Sequence, residues 1–543
     1  MVLQCLRSQI IYKIQAGQAF RHFKNTMPSR SNNALFQLIK SLIKSEKRNF
    51  KLFAKRNSAT EELKSIRLFD ALDKMETYDE ALLLRKNKSI AKAQLSNMNA
   101  NLYKQILSSL RLLKDEDNID IQLHEQMDHA RILYNKGLYI QSLNVLDKMK
   151  KMATAHNQVT HLMQVLFFEK KIESLYITRS IENRADELIA EAKNAAEKLS
   201  SITGLSNLSL KLYSWYIKNG HARTVNDDTV ITKIFTGNLP ADTKQCKTFY
   251  EKLYLYQSYC WYAFIRQDFL LYYRYTQKWV DLFTESPFMI EVETSHYIKG
   301  MHNLMGAHFD LHNYKKLGDV LKQFDKFSTK DIVLKNKNNL IQTFVYLYTS
   351  KINKHFLDGT FNEGLLLVPE IESKLNEYEL YLDRHRVLVF YYKIASLYFG
   401  SGDNSTAIDY LNKIINWKVD LRTDLQCYSR LLHLIAHFEL GNFDLLEYLI
   451  KSVYRFMAKM ENMSVVEEEM FKFLRHSFHL SAKEIKPALE KLLKKLKKHE
   501  NNRLETRAFL YLDVISWLES KISNVPVQQV IRNKFLASKK HGK

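Results

Sequence analysis

HFELGNF, residues 437–443, decides the reading of this chain, because the chain repeats it. HFDLHNY stands at 308–314 and HFLDGTF at 355–361, each a His-Phe pair, four residues and an aromatic. Looser versions are LYNKGLY at 133–139, AFIRQDF at 263–269 and YFGSGDN at 398–404. The last five in chain order begin 45, 47, 43 and 39 residues apart. Each phrase ends one apolar pattern of helical spacing and begins another. A period of about 40–47 residues holding two helices describes stacked helical hairpins.

Composition agrees. The 543 residues include only 14 Gly and 6 Pro, far below average usage of roughly 7% and 5%. These residues punctuate strands and loops, so their scarcity predicts helices with short connections. Hydrophobic residues make up 46%, enough for a core. Net charge is +22, a basic balance suited to acidic partners, nucleic acid or anionic lipid. The four cysteines, Cys5, Cys246, Cys260 and Cys427, form no CxxC pair and fit reduced thiols in a cytoplasmic protein. No apolar run approaches the ~18 residues of a membrane span.

Residues 1–26 are basic and acid-free, resembling a transit peptide in composition. Helical periodicity starts just after Met27, so we read them as an extension upstream of the true start. Residues 27–115 form a small helical N-terminal unit. Leu35, Leu38, Ile39, Leu42 and Ile43 mark its first helix, and Ser45 is placed to cap a second one bearing Phe50 and Phe53. KDEDNID, 114–120, is a polar break. The repeats occupy 116–525, interrupted by an irregular crossing at 219–247 rich in Asn, Gly, Asp and Pro. Ser464 with Glu467 reads as a capping box, and 486–500 as an amphipathic basic helix. Residues 526–543 read as a basic tail, mobile from 532 onward.

IASLYFGSGDNSTAIDYLNKI, 394–414, resembles a tetratricopeptide repeat. Tyr391, Ile394 and Tyr398 take the family's large positions, Ala395 the small one, Gly402 the turn and Ala407 the close-packing site. Around Gly137 the matching residues are Ala130, Leu133, Tyr139 and Ser142; Cys260 and Phe269 match in the next repeat. The chain departs from the family in lacking the terminal Pro, in exceeding its ~34-residue period, and in placing Gln267 and His312 at the turn Gly. KSLIKSEKRNFKLF, in the N-terminal unit, also resembles uncharacterised bacterial proteins carrying such repeats. The resemblance implies an all-α protein: an α-solenoid of tetratricopeptide-like hairpins behind a small helical N-terminal unit. It also implies a groove lined by the first helix of each hairpin. By the family's pattern, groove positions fall at Gln257 and Trp261, at Tyr346, Thr349 and Asn353, and at Val389, Tyr392, Lys393 and Ser396. Lys393 stands where some members place an Asn that clamps a C-terminal carboxylate, so that ligand is not expected.

Residues of catalytic type form no motif. His308, His355 and His437 share one position with Leu133, Ala263 and Tyr398, which describes packing. His433 and His437 are four apart, but Leu434 stands where a zincin needs Glu. His124 and His129 are five apart and diverge on a helix. Gly400-Ser401-Gly402 is a repeat turn, and neither a P-loop nor GxSxG occurs. Glu467, Glu468 and Glu469 suit a helix's first turn. The expectation is a non-enzymatic protein with no cofactor or metal, a scaffold for an acidic peptide or partner protein. The alternative rests on Lys47, Arg48, Lys51 and Lys55, a basic stripe that could lie against nucleic-acid phosphates, or form an ordinary solvated face.

Overall fold

The structure is a computed structural model that describes residues 30–57, 62–87, 90–113, 118–176, 183–417, 423–458, 464–477, 480–500, 502–505 and 513–540. The extension 1–26 lies outside the described residues. The architecture is all-α, and the described residues include no strand. The chain divides into two compact units, 1–145 and 146–543, so the division falls later than the polar break at 114–120.

The first unit holds α1 (Arg30–Ser41), α2 (Lys44–Asn57), α3 (Glu62–Lys74), α4 (Glu80–Lys86), α5 (Lys92–Leu113) and α6 (Ile119–Asn135). Leu35, Ile39, Phe50, Phe69, Leu102 and Ile106 meet in its core, with the rings of Phe50 and Phe69 4.8 Å apart. α2 begins one residue before Ser45; Glu46 rather than Ser45 accepts the amide of the residue just before the helix, Ile43. α7 (Tyr139–Ala155) spans the division.

The second unit continues with α8 (Val159–Leu175), α9 (Arg184–Asn219), α10 (Val225–Thr236), α11 (Phe249–Arg266), α12 (Phe269–Glu285) and α13 (Met289–Val292). Then come α14 (Thr294–Asp310), α15 (Tyr314–Ser328), α16 (Asp331–Leu334), α17 (Lys337–Asp358), α18 (Phe361–Leu365), α19 (Val368–Glu377), α20 (Arg384–Ser401) and α21 (Asn404–Ile415). The chain ends with α22 (Thr423–Glu439), α23 (Phe443–Ala458), α24 (Val465–His476), α25 (Ala482–Lys497), α26 (Val514–Ser523) and α27 (Val527–Lys540). Contacts are sequential. α11 packs on α12, α12 on α14, α14 on α15 and α17, α17 on α20, α20 on α21 and α21 on α22. Glu169, fully buried on α8, is neutralised by Lys150 of α7 at 2.8 Å and by Arg184 of α9. A buried carboxylate is costly unless paired in this way.

The repeated phrase is a turn. At its sixth residue the amide of Leu138, Asp268, Asn313, Thr360, Asp403 or Asn442 donates to the carbonyl five residues back, over 2.8–3.1 Å in every case. Its fifth residue is Gly137, Gln267, His312, Gly359, Gly402 or Gly441, always in the left-handed region with φ between 54° and 95°. This bond and this conformation close an α-helix in a Schellman turn. Gln267 and His312 therefore keep the backbone that glycine adopts more easily. The Gln267 side chain donates to Ala222 O at 3.1 Å, tying the loop before α10 to the turn.

The histidines complete this turn. Nδ1 of His437 lies 3.1 Å from Asn442 Nδ2, and Nδ1 of His355 lies 2.8 Å from Thr360 Oγ1. His308 Nδ1 lies 3.4 Å from Asn313 Nδ2. Where Ala263 and Tyr398 replace the His, the sixth residue is Asp268 or Asp403, whose carboxylate caps the next helix by accepting from Leu271 N or Thr406 N. The pairing of a His with an amide or hydroxyl five residues on was missed in the sequence, although all three pairs are visible there.

Two expectations need correction. Residues 225–236 of the expected irregular crossing are helical. Thr224 and Asp227 form a capping box, and Ile231 and Phe235 bury one face. The supposed tail is helical to Lys540. Val527, Ile531 and Phe535, four apart, make an apolar stripe, with Ile531 and Phe535 buried. α27 packs on α17 and α20, with Arg532 donating to Asp358 O at 3.0 Å and Gln528 Oε1 accepting from Asn362 N at 3.0 Å.

Two predictions follow from the turns. A Cβ added at Gly359 would lie 2.4 Å from Arg532 N, while one at Gly402 meets nothing within 4 Å. Both residues have positive φ, so Gly402→Ala should cost about 1–3 kcal/mol of backbone strain. Gly359→Ala should cost clearly more and release α27, which urea unfolding and proteolysis near the C-terminus will measure.

His308 is buried, and burial, with Lys316 nearby, pushes its pKa down to about 4. The unfolded chain then binds this proton below about 6.5 and the folded chain only near 4. Stability should fall as pH drops across that window, by on the order of 3 kcal/mol from this group. His308→Leu should flatten the fall in urea midpoint between pH 7 and 4.5; an unchanged slope would contradict the assignment.

Candidate functional site

The leading helices of three successive hairpins, α14, α17 and α20, carry polar and basic side chains on facing surfaces. Lys299 and His302 are one turn apart on α14, Tyr346 and Asn353 two turns apart on α17, and Arg386 and Lys393 two turns apart on α20, so each pair shares a face. The His302 ring stacks on Tyr346, with centroids 4.0 Å apart and planes 12° apart. Lys299 Nζ stands 5.1 Å from the Tyr346 ring centroid, a cation–π contact. Lys393 Nζ donates to Asn353 Oδ1 and lies 5.5 Å from the Phe356 ring centroid. Arg386 Nε pairs with Asp383 Oδ2 of its own helix start at 3.1 Å. Among the described residues, no carboxylate pairs with Lys299.

His302 stays neutral here. Burial, then the charges of Lys299, Lys393 and Arg386, push its pKa well below the usual imidazole range. Its Nδ1 is buried and unpartnered, as is Nδ1 of His385, next to Arg386 in sequence. Buried polar atoms without partners are uncommon in native structures. One turn before Lys299, His296 Nδ1 lies 2.8 Å from Glu293 Oε2, and Tyr250 Oη donates to Glu293 Oε1 at 2.6 Å. Burial works against the Glu293 carboxylate, but these bonds hold its pKa below the ordinary value.

The groove residues expected from the sequence thus separate. Asn353 and Lys393 meet, and Tyr346 lies two turns away on the same face of α17. Val389 and Ser396 are half-buried beside them on α20, with Ser396 Oγ donating to Tyr392 O at 2.9 Å. Thr349 is buried, and Gln257 is buried with an unpartnered Nε2. Tyr392, expected as a surface anchor, is only 5% exposed and belongs to the core. Trp261 is not part of this face either. It packs against Tyr213, Tyr216 and Phe264, at centroid distances of 5.1, 5.5 and 6.1 Å, because the long helix α9 lies against α11.

Lys299 and His302 were missed in the sequence, yet the signal was present. They stand nine and six residues before His308, the offsets that place Tyr346 and Thr349 before His355 and Val389 and Tyr392 before Tyr398. Arg386, seven residues before Lys393, was legible in the same way.

Two of the four residues of the N-terminal basic stripe are paired with acids. Lys47 pairs with Asp73 at 2.5 Å and Lys51 with Asp70 at 2.6 Å, because α3 turns its acidic edge toward α2. Arg48 and Lys55 are exposed. The His433 and His437 rings meet edge to face, 4.5 Å apart, and burial, then His437 and Arg430, push the His433 pKa down to about 3. Among the described residues, no three His, Cys, Asp or Glu side chains group so as to hold a metal ion, and no helix is long and apolar enough to cross a membrane. Compared with known protein families and with curated proteins, the chain matches none.

The division between core and surface on α20 can be tested. Tyr392→Ala should destabilise the protein by roughly 3–5 kcal/mol, as large core truncations do. Tyr346→Ala, on the half-exposed face, should cost markedly less. Equal losses in denaturant midpoint would show that the two positions do not differ in this way.

Proposed function

We propose that this chain is a non-enzymatic interaction scaffold: an α-solenoid of tetratricopeptide-like hairpins that holds an acidic peptide or partner segment along the face of α14, α17 and α20. The observation that carries the reading is the convergence of Lys299, Tyr346, Asn353 and Lys393 on one face of successive hairpin-leading helices. Six turns of one geometry, each joining two helices, support the repeat reading. A face of this kind offers an extended peptide an aromatic contact and charge steering together. The free thiols of Cys246, Cys260 and Cys427 suit the cytoplasmic setting we infer. A nucleic-acid regulator working through α2 has less support, since Asp70 and Asp73 already occupy Lys51 and Lys47.

Selection from a displayed random-peptide library tests the proposal. Wild-type protein should enrich acidic sequences with an apolar anchor. A Tyr346→Ala/Lys393→Ala variant, shown to be folded by circular dichroism, should lose that enrichment, while Arg48→Ala/Lys55→Ala should keep it. Enrichment that survives in the first variant and disappears in the second would overturn the scaffold reading in favour of the N-terminal stripe.

A further inference from the structure

We propose that the exposed face of α23 is a self-association surface, on which a second copy of this chain lays its own α23 antiparallel about a two-fold axis. The surface starts from the sequence FDLLEYLIKSVYRFMA, 443–458. Leu446, Ile450, Val453 and Met457 turn one side of this helix into the core. Leu445, Tyr448, Leu449, Ser452 and Phe456 make a second stripe at the spacing i, i+3, i+4, i+7, i+11. Leu445 is 47% exposed and Tyr448 70%, and Ser452 is exposed between them and the helix end. Leu449 and Phe456 are half-buried, with the Phe456 ring against the Arg430 guanidinium. A surface helix needs one apolar stripe to join its own core, and α23 carries two. Phe443 and Tyr454 are exposed as well, but their rings meet Phe438 of α22 and Phe471 of α24, at 6.0 and 6.4 Å.

Charge identifies the occupant. Asp444, Glu447, Lys451 and Arg455 run down one flank of the second stripe, each one residue ahead of a stripe member. The two acids come first and the two bases last. Glu447 and Lys451 pair along the helix at 2.9 Å. Among the described residues, no cation pairs with Asp444 and no carboxylate with Arg455, whose Nε donates to Lys451 O at 3.3 Å. A two-fold axis that reverses the helix direction leaves this flank on the same side of the pair. Asp444 of each copy then faces Arg455 of the other, Leu445 faces Phe456, and the bulky Tyr448 faces the small Ser452. All three pairings centre within one residue of Ile450, so one alignment satisfies them together. A parallel pair would set acid on acid and base on base, which is repulsive. The balance of acids and bases also gives α23 no attraction for an anionic membrane or a nucleic-acid backbone, which draw a surplus of cations.

Area sets the strength. α23 has 16 residues, a length of about 24 Å. One such helix pair buries less than the ~800 Å² per partner of a standard interface, which corresponds to a Kd of about 10–100 µM. The surface lies on the second helix of its hairpin and not on α14, α17 or α20, so the inference stands apart from the scaffold reading.

Sedimentation equilibrium of the full chain, from well below that Kd to several times above it, provides the test. Wild type should pass reversibly from monomer to dimer. Tyr448→Glu, at an exposed position, should keep the wild-type melting temperature and weaken the dimer at least about tenfold. Asp444→Arg and Arg455→Asp each create two like-charged contacts and should each weaken it at least about threefold. Both substitutions in one chain should restore the wild-type dimer. A chain that stays monomeric or grows past the dimer, or a dimer that Tyr448→Glu leaves intact, would overturn the proposal. A dimer lost in Tyr448→Glu but not restored by the double reversal would overturn the antiparallel alignment.

Discussion

One backbone hydrogen bond, repeated at each hairpin, sets the rest of this structure. The amide at the sixth position of each repeated phrase reaches back to the carbonyl at the first, across a residue with positive φ. It closes the leading helix, reverses the chain and starts the following helix within a few residues. That reversal lets α14 lie on α15 and then meet α17, and lets α20 lie on α21. Faces that bear function then recur at fixed offsets from the turn. Lys299, Tyr346 and Val389 are the same offset in three repeats.

Two kinds of side chain maintain five of the six turns. In one, an aspartate at the sixth position caps the next helix, as Asp268 and Asp403 do. In the other, a histidine at the first position engages the side chain at the sixth, as His355 and His437 do with Thr360 and Asn442. The histidine also fills space at the helix end, where Leu133 and Ala263 serve in other repeats. The two solutions are alternatives at one backbone geometry, so the phrase varies in sequence while its conformation does not.

The all-α class and the position of each turn were legible in the sequence because turn chemistry is local. Scarce Gly and Pro, helical periodicity and the repeated phrase all report short-range constraints. The candidate face was only half legible. Offsets identify which residues point from a helix, but not which neighbouring element covers them. Trp261 has a groove offset, yet α9 lies against it; Tyr392 has one too, yet the core of the second unit takes it in. Lys47 and Lys51 read as a free stripe because their partners, Asp73 and Asp70, are 26 and 19 residues away at the spacing of a different helix. The α27 helix was overlooked for the opposite reason. Its basic charge obscured the Val527, Ile531 and Phe535 stripe that docks it.

Native-state hydrogen exchange at the turn amides addresses the central claim most directly. The amides of Asp268, Asn313, Thr360, Asp403 and Asn442 should exchange slowly, and their protection should fall with denaturant together with that of the helices they join. His312 and Gln267 turns should be protected like the glycine turns. Exchange of these five amides at the rate of an unstructured chain, beside protected helices, would show that the helices hold together without the turns and would contradict the account.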